Sequence, residues 1–140
     1  MYEPIRTKSV HTMADATDAD FPHRSREEEL DIQLAGHLAA LLTVTDELRA
    51  LAPSADLDTA AERLAGQVTR LRGGVPPTRA TATTRGARVT ALHRRAHALA
   101  GRALVVAASR ADTAAAILSA ERMDAHSAAL VDPREPITAG

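Results

Sequence analysis

The 140-residue chain has no cysteine and no tryptophan, and its one tyrosine and one phenylalanine, Tyr2 and Phe21, lie near the N-terminus. Lack of cysteine rules out a disulfide framework, a thiolate metal cluster and a cysteine nucleophile. Lack of aromatics beyond Phe21 leaves leucine, valine, isoleucine and alanine to build the interior. Such an interior suits helices packed through small residues and suits a β-sandwich poorly, because strands draw on aromatic and β-branched side chains. No apolar run approaches the roughly 20 residues of a membrane span, and MYEPIRTKSVHTMADATDADF holds no apolar core for a secretion signal. A cytoplasmic chain with no membrane partner is the expectation.

Motifs of catalysis are missing as well. Gly73-Gly74 is followed by Val-Pro-Pro and so is no phosphate-cradling loop, no serine sits in a nucleophile elbow, and no carboxylate–histidine pattern of di-iron bundles occurs. The chain is therefore expected not to be an enzyme and to carry no cofactor.

What is present is helical periodicity. With 45% hydrophobic and 25% charged residues, the composition is that of one folded domain. Residues 1–24 show no period and are expected to form a flexible arm, and 132–140, with two prolines, a flexible tail. Ser25 and Glu28 have the spacing of a capping box, with Glu27, Glu29 and Asp31 favouring the positive end of the helix that follows. Leu30, Leu34, Leu38, Leu41, Leu42, Leu48 and Leu51 then form a broad apolar face, ended by Pro53. Ser54 to Asp58 starts a second helix with the seam Leu57, Ala61, Leu64, Val68 and Leu71, and Gly73-Gly74 ends it.

From Thr84 to Val131 there is no proline, and the composition is rich in alanine, leucine, arginine and valine. As one helix this rod would be roughly 70 Å long. Val89, Leu92, Ala96, Leu99, Ala103 and Val106 make a stripe that the same register carries onto Arg110 and Thr113 before Ile117 resumes it. A guanidinium in a buried seam is costly unless paired. Ser109 to Asp112 resembles a helix start, so the rod is either one long helix or two with a break near Ser109. The fold class is an all-α antiparallel bundle of three or four helices over residues 25–131. Gly66 and Gly101 are read as sites of close helix approach or as tolerated interruptions.

Charge is segregated along the chain. No acidic residue lies between Glu62 and Asp112, an interval holding ten arginines, whereas residues 1–62 carry a net charge of −8. Two readings follow. In one, Arg88, Arg95 and Arg102, seven apart, pair with acids of the first helix. In the other, Arg79, Arg85, Arg88, Arg94, Arg95 and Arg102 contact nucleic-acid phosphates, although no aromatic stacking group accompanies them. His93 and His97, one helical turn apart, have a spacing that can hold Zn²⁺ or Ni²⁺, with His37, His126, Asp112 or Glu121 as further ligands, but the adjacent Arg94 and Arg95 repel a cation. Both histidines are expected to face solvent. The leading functional expectation is a non-enzymatic interaction or regulatory module whose partner is itself, as a homodimer, or another helical protein. The alternatives are a nucleic-acid-binding accessory protein and a metal- or small-ligand-binding bundle.

Overall fold

The computed structural model describes residues 25–80 and 88–131; the expected arm 1–24, the tail 132–140 and Arg85 lie outside the described residues. Within them are the helices α1 (Arg26–Leu51), α2 (Ala55–Leu71), α3 (Val89–Arg110) and α4 (Thr113–Val131). The all-α bundle expected from the periodicity is what the chain forms.

Local chemistry sets the helix ends. The Ser25 hydroxyl accepts from the Glu28 amide at 3.0 Å while Glu28 Oε1 accepts from the Ser25 amide at 2.9 Å, completing the capping box. Ser54 Oγ accepts from the Leu57 amide at 3.1 Å and starts α2. At the far end of α2, Gly73 and Gly74 take positive φ of 70° and 99°, and the Gly74 amide reaches back to the Thr69 carbonyl. Glycine occupies these angles without the Cβ clash other residues meet.

The rod is two helices. Ala111 adopts φ 60° and ψ 36°, and the Asp112 amide bonds the Ala107 carbonyl, which closes α3 with a left-handed stop. The break falls two residues after Ser109, and it is Asp112 that caps α4, its Oδ1 accepting from the Ala115 amide at 3.1 Å. Breaking the rod resets the register. Ile117, expected to resume the stripe, is 54% exposed, while Ala115, Leu118, Ser119, Arg122 and His126 turn inward instead.

The helices form a ring in the order α1, α2, α4, α3. α1 packs on α2 and α3, α3 packs on α4, and α2 touches α4 only lightly. Neighbouring pairs run antiparallel: Arg49 meets Asp58, Arg110 meets Asp31, His93 meets His126, and Arg70 meets Asp112. It follows that α2 and α3 run the same way, so the connection must travel back along the bundle. Gly73–Ala80 has no regular structure, and an extended Pro76-Pro77 stretch covers about 3 Å per residue, enough to bring Arg79 to the far end of α1. There Arg79 Nε and Nη2 donate to Asp46 Oδ2 and Oδ1 at 2.9 and 2.8 Å, joined by Arg49 Nη1 and the Ala80 amide. Burial pushes the Asp46 carboxyl up, but the Arg79 hydrogen bonds and charge, then Arg49 and Ala80, outweigh it and hold the pKa below its ordinary value.

The core joins Leu34, Leu38, Leu41, Leu42 and Leu48 of α1 to Leu57, Leu64 and Val68 of α2, Leu92, Ala96, Leu99, Ala100, Ala103 and Ala107 of α3, and Ala115 and Leu118 of α4. Leu51, assigned by its spacing to the same face, ends the helix and is 40% exposed. Gly66 marks no close approach, since a Cβ there would meet nothing within 4 Å, whereas at Gly101 it would lie 3.7 Å from the Met123 side chain.

Alanine at a left-handed position carries a steric penalty that glycine lacks. Ala111→Gly is expected to raise stability by about 1 kcal/mol and Ala111→Val to lower it, read from urea midpoints. A glycine variant less stable than the parent would show that the α3–α4 turn is set some other way.

Candidate functional site

Where α2 begins and α4 ends, charged and titratable side chains are sunk into the bundle. Arg122, His126 and Ser119 of α4 are buried, at 5%, 1% and 0% exposure. They share one face of α4 because positions three and four apart stack along a helix. Arg122 Nη1 donates to both oxygens of Asp56, at 3.0 and 3.2 Å, across the α2–α4 gap. Arg122 Nη2 lies 3.3 Å from His126 Nε2, and His126 Nδ1 lies 2.9 Å from His93 Nδ1 of α3. The two rings stand 5.1 Å apart, tilted by 47°.

Guanidinium only donates hydrogen bonds, which fixes the rest of the chain. His126 Nε2 must accept, so His126 carries its proton on Nδ1 and donates it to His93 Nδ1; His93 in turn keeps its proton on Nε2. A proton added to His126 Nε2 would point at Arg122, and one added to His93 Nδ1 would point at the Nδ1 proton of His126. Both imidazoles are therefore held neutral. Burial, then the charge of Arg122 and the repulsion a proton on His93 would add, push His126 from 6.5 down to about 4, with Asp56 opposing. Burial, then Arg122, lower His93 as well.

Two cavities adjoin the cluster. One of ≈ 280 Å³ is bordered by Ala52, Leu57, Ala125 and Ala129 together with His93, His126 and Arg122. The other, of ≈ 250 Å³, lies between α2 and α4 and includes Asp56, Arg63, Glu121 and Arg122. Further along the same seam a third, of ≈ 420 Å³, is lined by Gly66, Ala114, Ile117 and Leu118.

The residues singled out from the sequence are distributed differently. His93 is half-buried and turned toward α4, not solvent, and its partner is His126 rather than His97. His97 is half-buried with no hydrogen-bond partner among the described residues. Among the described residues no group of three or more histidine, aspartate or glutamate side chains is arranged to hold a metal ion. Asp112, considered as a ligand, instead caps α4 and receives Arg70; burial raises its carboxyl, but the Arg70 bond, the Ala115 amide and the charges of Arg70 and Arg110 hold it below its ordinary value. Glu121 meets Arg63 at 3.5 Å.

Of the arginines, Arg79 is engaged by Asp46. Arg88, Arg94, Arg95 and Arg102 are exposed on the outside of α3 and form no ion pair among the described residues, so the expected pairing of Arg88, Arg95 and Arg102 with α1 does not occur. Arg110 takes that role through Asp31 at 3.0 Å.

Arg122 and Asp56 were not singled out by sequence reasoning. The signal was Leu118, Arg122 and His126 at four-residue steps, legible only once the register is restarted at Asp112. In comparisons with known proteins, the chain matches no family model, no curated protein and no solved structure. No described helix is long and apolar enough to cross a membrane.

The neutral histidines make stability depend on pH. An unfolded histidine titrates near 6.5 and folded His126 at about 4, so between these values the unfolded chain binds the extra proton. Stability is full above that window and falls as pH drops through it, by on the order of 3 kcal/mol in total. The depressed carboxylates Asp46 and Asp112 lose their contributions only below 3.8, outside this window. Urea midpoints measured from neutral pH down to the carboxylate range are expected to show the loss, and His126→Gln to flatten it. A parent midpoint that does not change over that range would contradict the neutral cluster.

Proposed function

We propose that the chain is a non-catalytic helical interaction module that associates with a second copy of itself through the α2–α4 side of the bundle. The observation that carries this reading is the unclosed seam: three helix pairs pack tightly, while α2 and α4 leave between them the ≈ 420 Å³ cavity lined by Gly66, Ala114, Ile117 and Leu118. Ile117 is 54% exposed there, and nothing stands within 4 Å of a Cβ at Gly66, so there is room and apolar surface for another helix. Arg63 and Glu121 on the rim, 3.5 Å apart, supply charges of both signs, which suits a two-fold contact with an identical surface. Sedimentation at micromolar concentration is expected to give a dimer, and Ile117→Glu, a change at an exposed site, a monomer of equal helicity. A strictly monomeric parent would refute the reading.

A second reading is favoured by the outer face of α3. Arg88, Arg95 and Arg102 recur every seven residues beside Arg94, a helix that carries no acidic residue. This row spans about 21 Å and is suited to a polyanion such as nucleic acid. It predicts binding to mixed-sequence RNA or DNA that weakens steeply with salt and is lost in Arg88→Glu/Arg95→Glu. Absence of binding at low salt would remove it.

A further inference from the structure

Arg122 carries five N–H donors, and the bundle uses few of them. Nη1 meets Asp56 and Nη2 meets His126, while Nε and the Ser119 hydroxyl one turn earlier are buried with no hydrogen-bond partner among the described residues. Leaving such groups unmet inside a protein is costly, and an unfilled donor set commonly marks the place of an ion or ligand. The side chain is 6% exposed, yet its one carboxylate partner, Asp56, is 65% exposed and reaches in from the first turn of α2. Arg122 also borders the two cavities of ≈ 280 and ≈ 250 Å³ that lie on either side of this contact.

We infer that Asp56 occupies a carboxylate-binding site, and that a small monocarboxylate with a short apolar tail displaces it, its oxygens on Arg122 and its tail along Ala52, Leu57, Ala125 and Ala129. The charge of the site argues for a monoanion. His126, held neutral by the Arg122 contact, supplies no second positive charge, and in the adjoining cavity Arg63 is paired with Glu121, so Arg122 is the one uncompensated cation there once Asp56 leaves. The alanine and leucine wall offers an inorganic oxyanion nothing, whereas it covers a chain of a few methylenes at about 0.8 kcal/mol each. Asp56 leaves for solvent at little cost because it is already mostly in water.

Titration of the full ¹⁵N-labelled chain with sodium butyrate, against sodium chloride and sodium phosphate at matched ionic strength, tests the site. Butyrate is expected to bind saturably in the millimolar range, with shifts at Leu57, Ala125 and His126. Asp56→Asn, which keeps the shape but removes the competing charge, is expected to tighten butyrate about ten-fold. Arg122→Gln is expected to abolish it. Asp56→Asn binding no tighter than the parent, or phosphate binding as tightly as butyrate, overturns the inference. Should Arg122→Gln fail to fold, those two comparisons still decide.

Discussion

Large side chains on one helix facing small ones on the next is the constraint from which the rest of this molecule follows. α1 brings leucines at 34, 38, 41, 42 and 48, all fully buried, against a face of α3 made largely of alanines at 96, 100, 103 and 107. With no aromatic side chain in the described residues to fill a wide gap, the backbones must come close, and alanine permits that approach. Buried leucines of this kind contribute roughly 2 kcal/mol each, which explains why the α1–α3 contact is extensive. The same economy leaves the α2–α4 side short of material. α2 has a narrow seam, spent on α1, and α4 presents arginine, serine and histidine where a fourth wall of leucines would have closed the ring.

The chain path then decides which charges meet. Because α2 and α3 both run antiparallel to α1, α3 starts beside the end of α1, and α4 finishes beside the start of α2. That path places Asp46 against Arg79 and Asp31 against Arg110, so the acidic first helix neutralises arginines from outside the expected row. It also sets Asp56 across from Arg122 and His93 across from His126. Ion pairs this close to solvent add modestly to stability, and their weight lies more in fixing the register of neighbouring helices. The row Arg88, Arg94, Arg95 and Arg102 has no such partners among the described residues, and it faces away from the core.

Much of this was legible in the sequence, for reasons that differ by residue. Ser25, Ser54 and Gly73-Gly74 act through backbone groups within a few positions, so their capping roles could be read directly. The leucine face of α1 and the seam of α2 follow from period alone. The break of the rod was legible only as an alternative, because Ala111 is a residue without a stop signal and Ser109, three residues before the cap Asp112, offers a competing start. Ile117 was misplaced since a register extrapolated through a break loses its phase. Arg122 escaped notice because charged residues are ordinarily exposed, and its partner Asp56 is 66 positions away in sequence. His93 was legible as a candidate and His126 only as one of four residues that could join it, for spacing along one helix says nothing about which helix lies opposite.

The direction of α3 is the claim on which the rest depends, since it alone brings α4 to α2 and closes the arginine–histidine cluster. As the chain lacks cysteine, spin labels can be placed at will on exposed positions, one at Gln33 of α1 and one at either end of α3, Ala91 or Ser109. Those two α3 positions are about 27 Å apart along the helix axis. Pulsed dipolar distance measurement is expected to find Gln33 much nearer Ser109 than Ala91, and the opposite order would contradict the account.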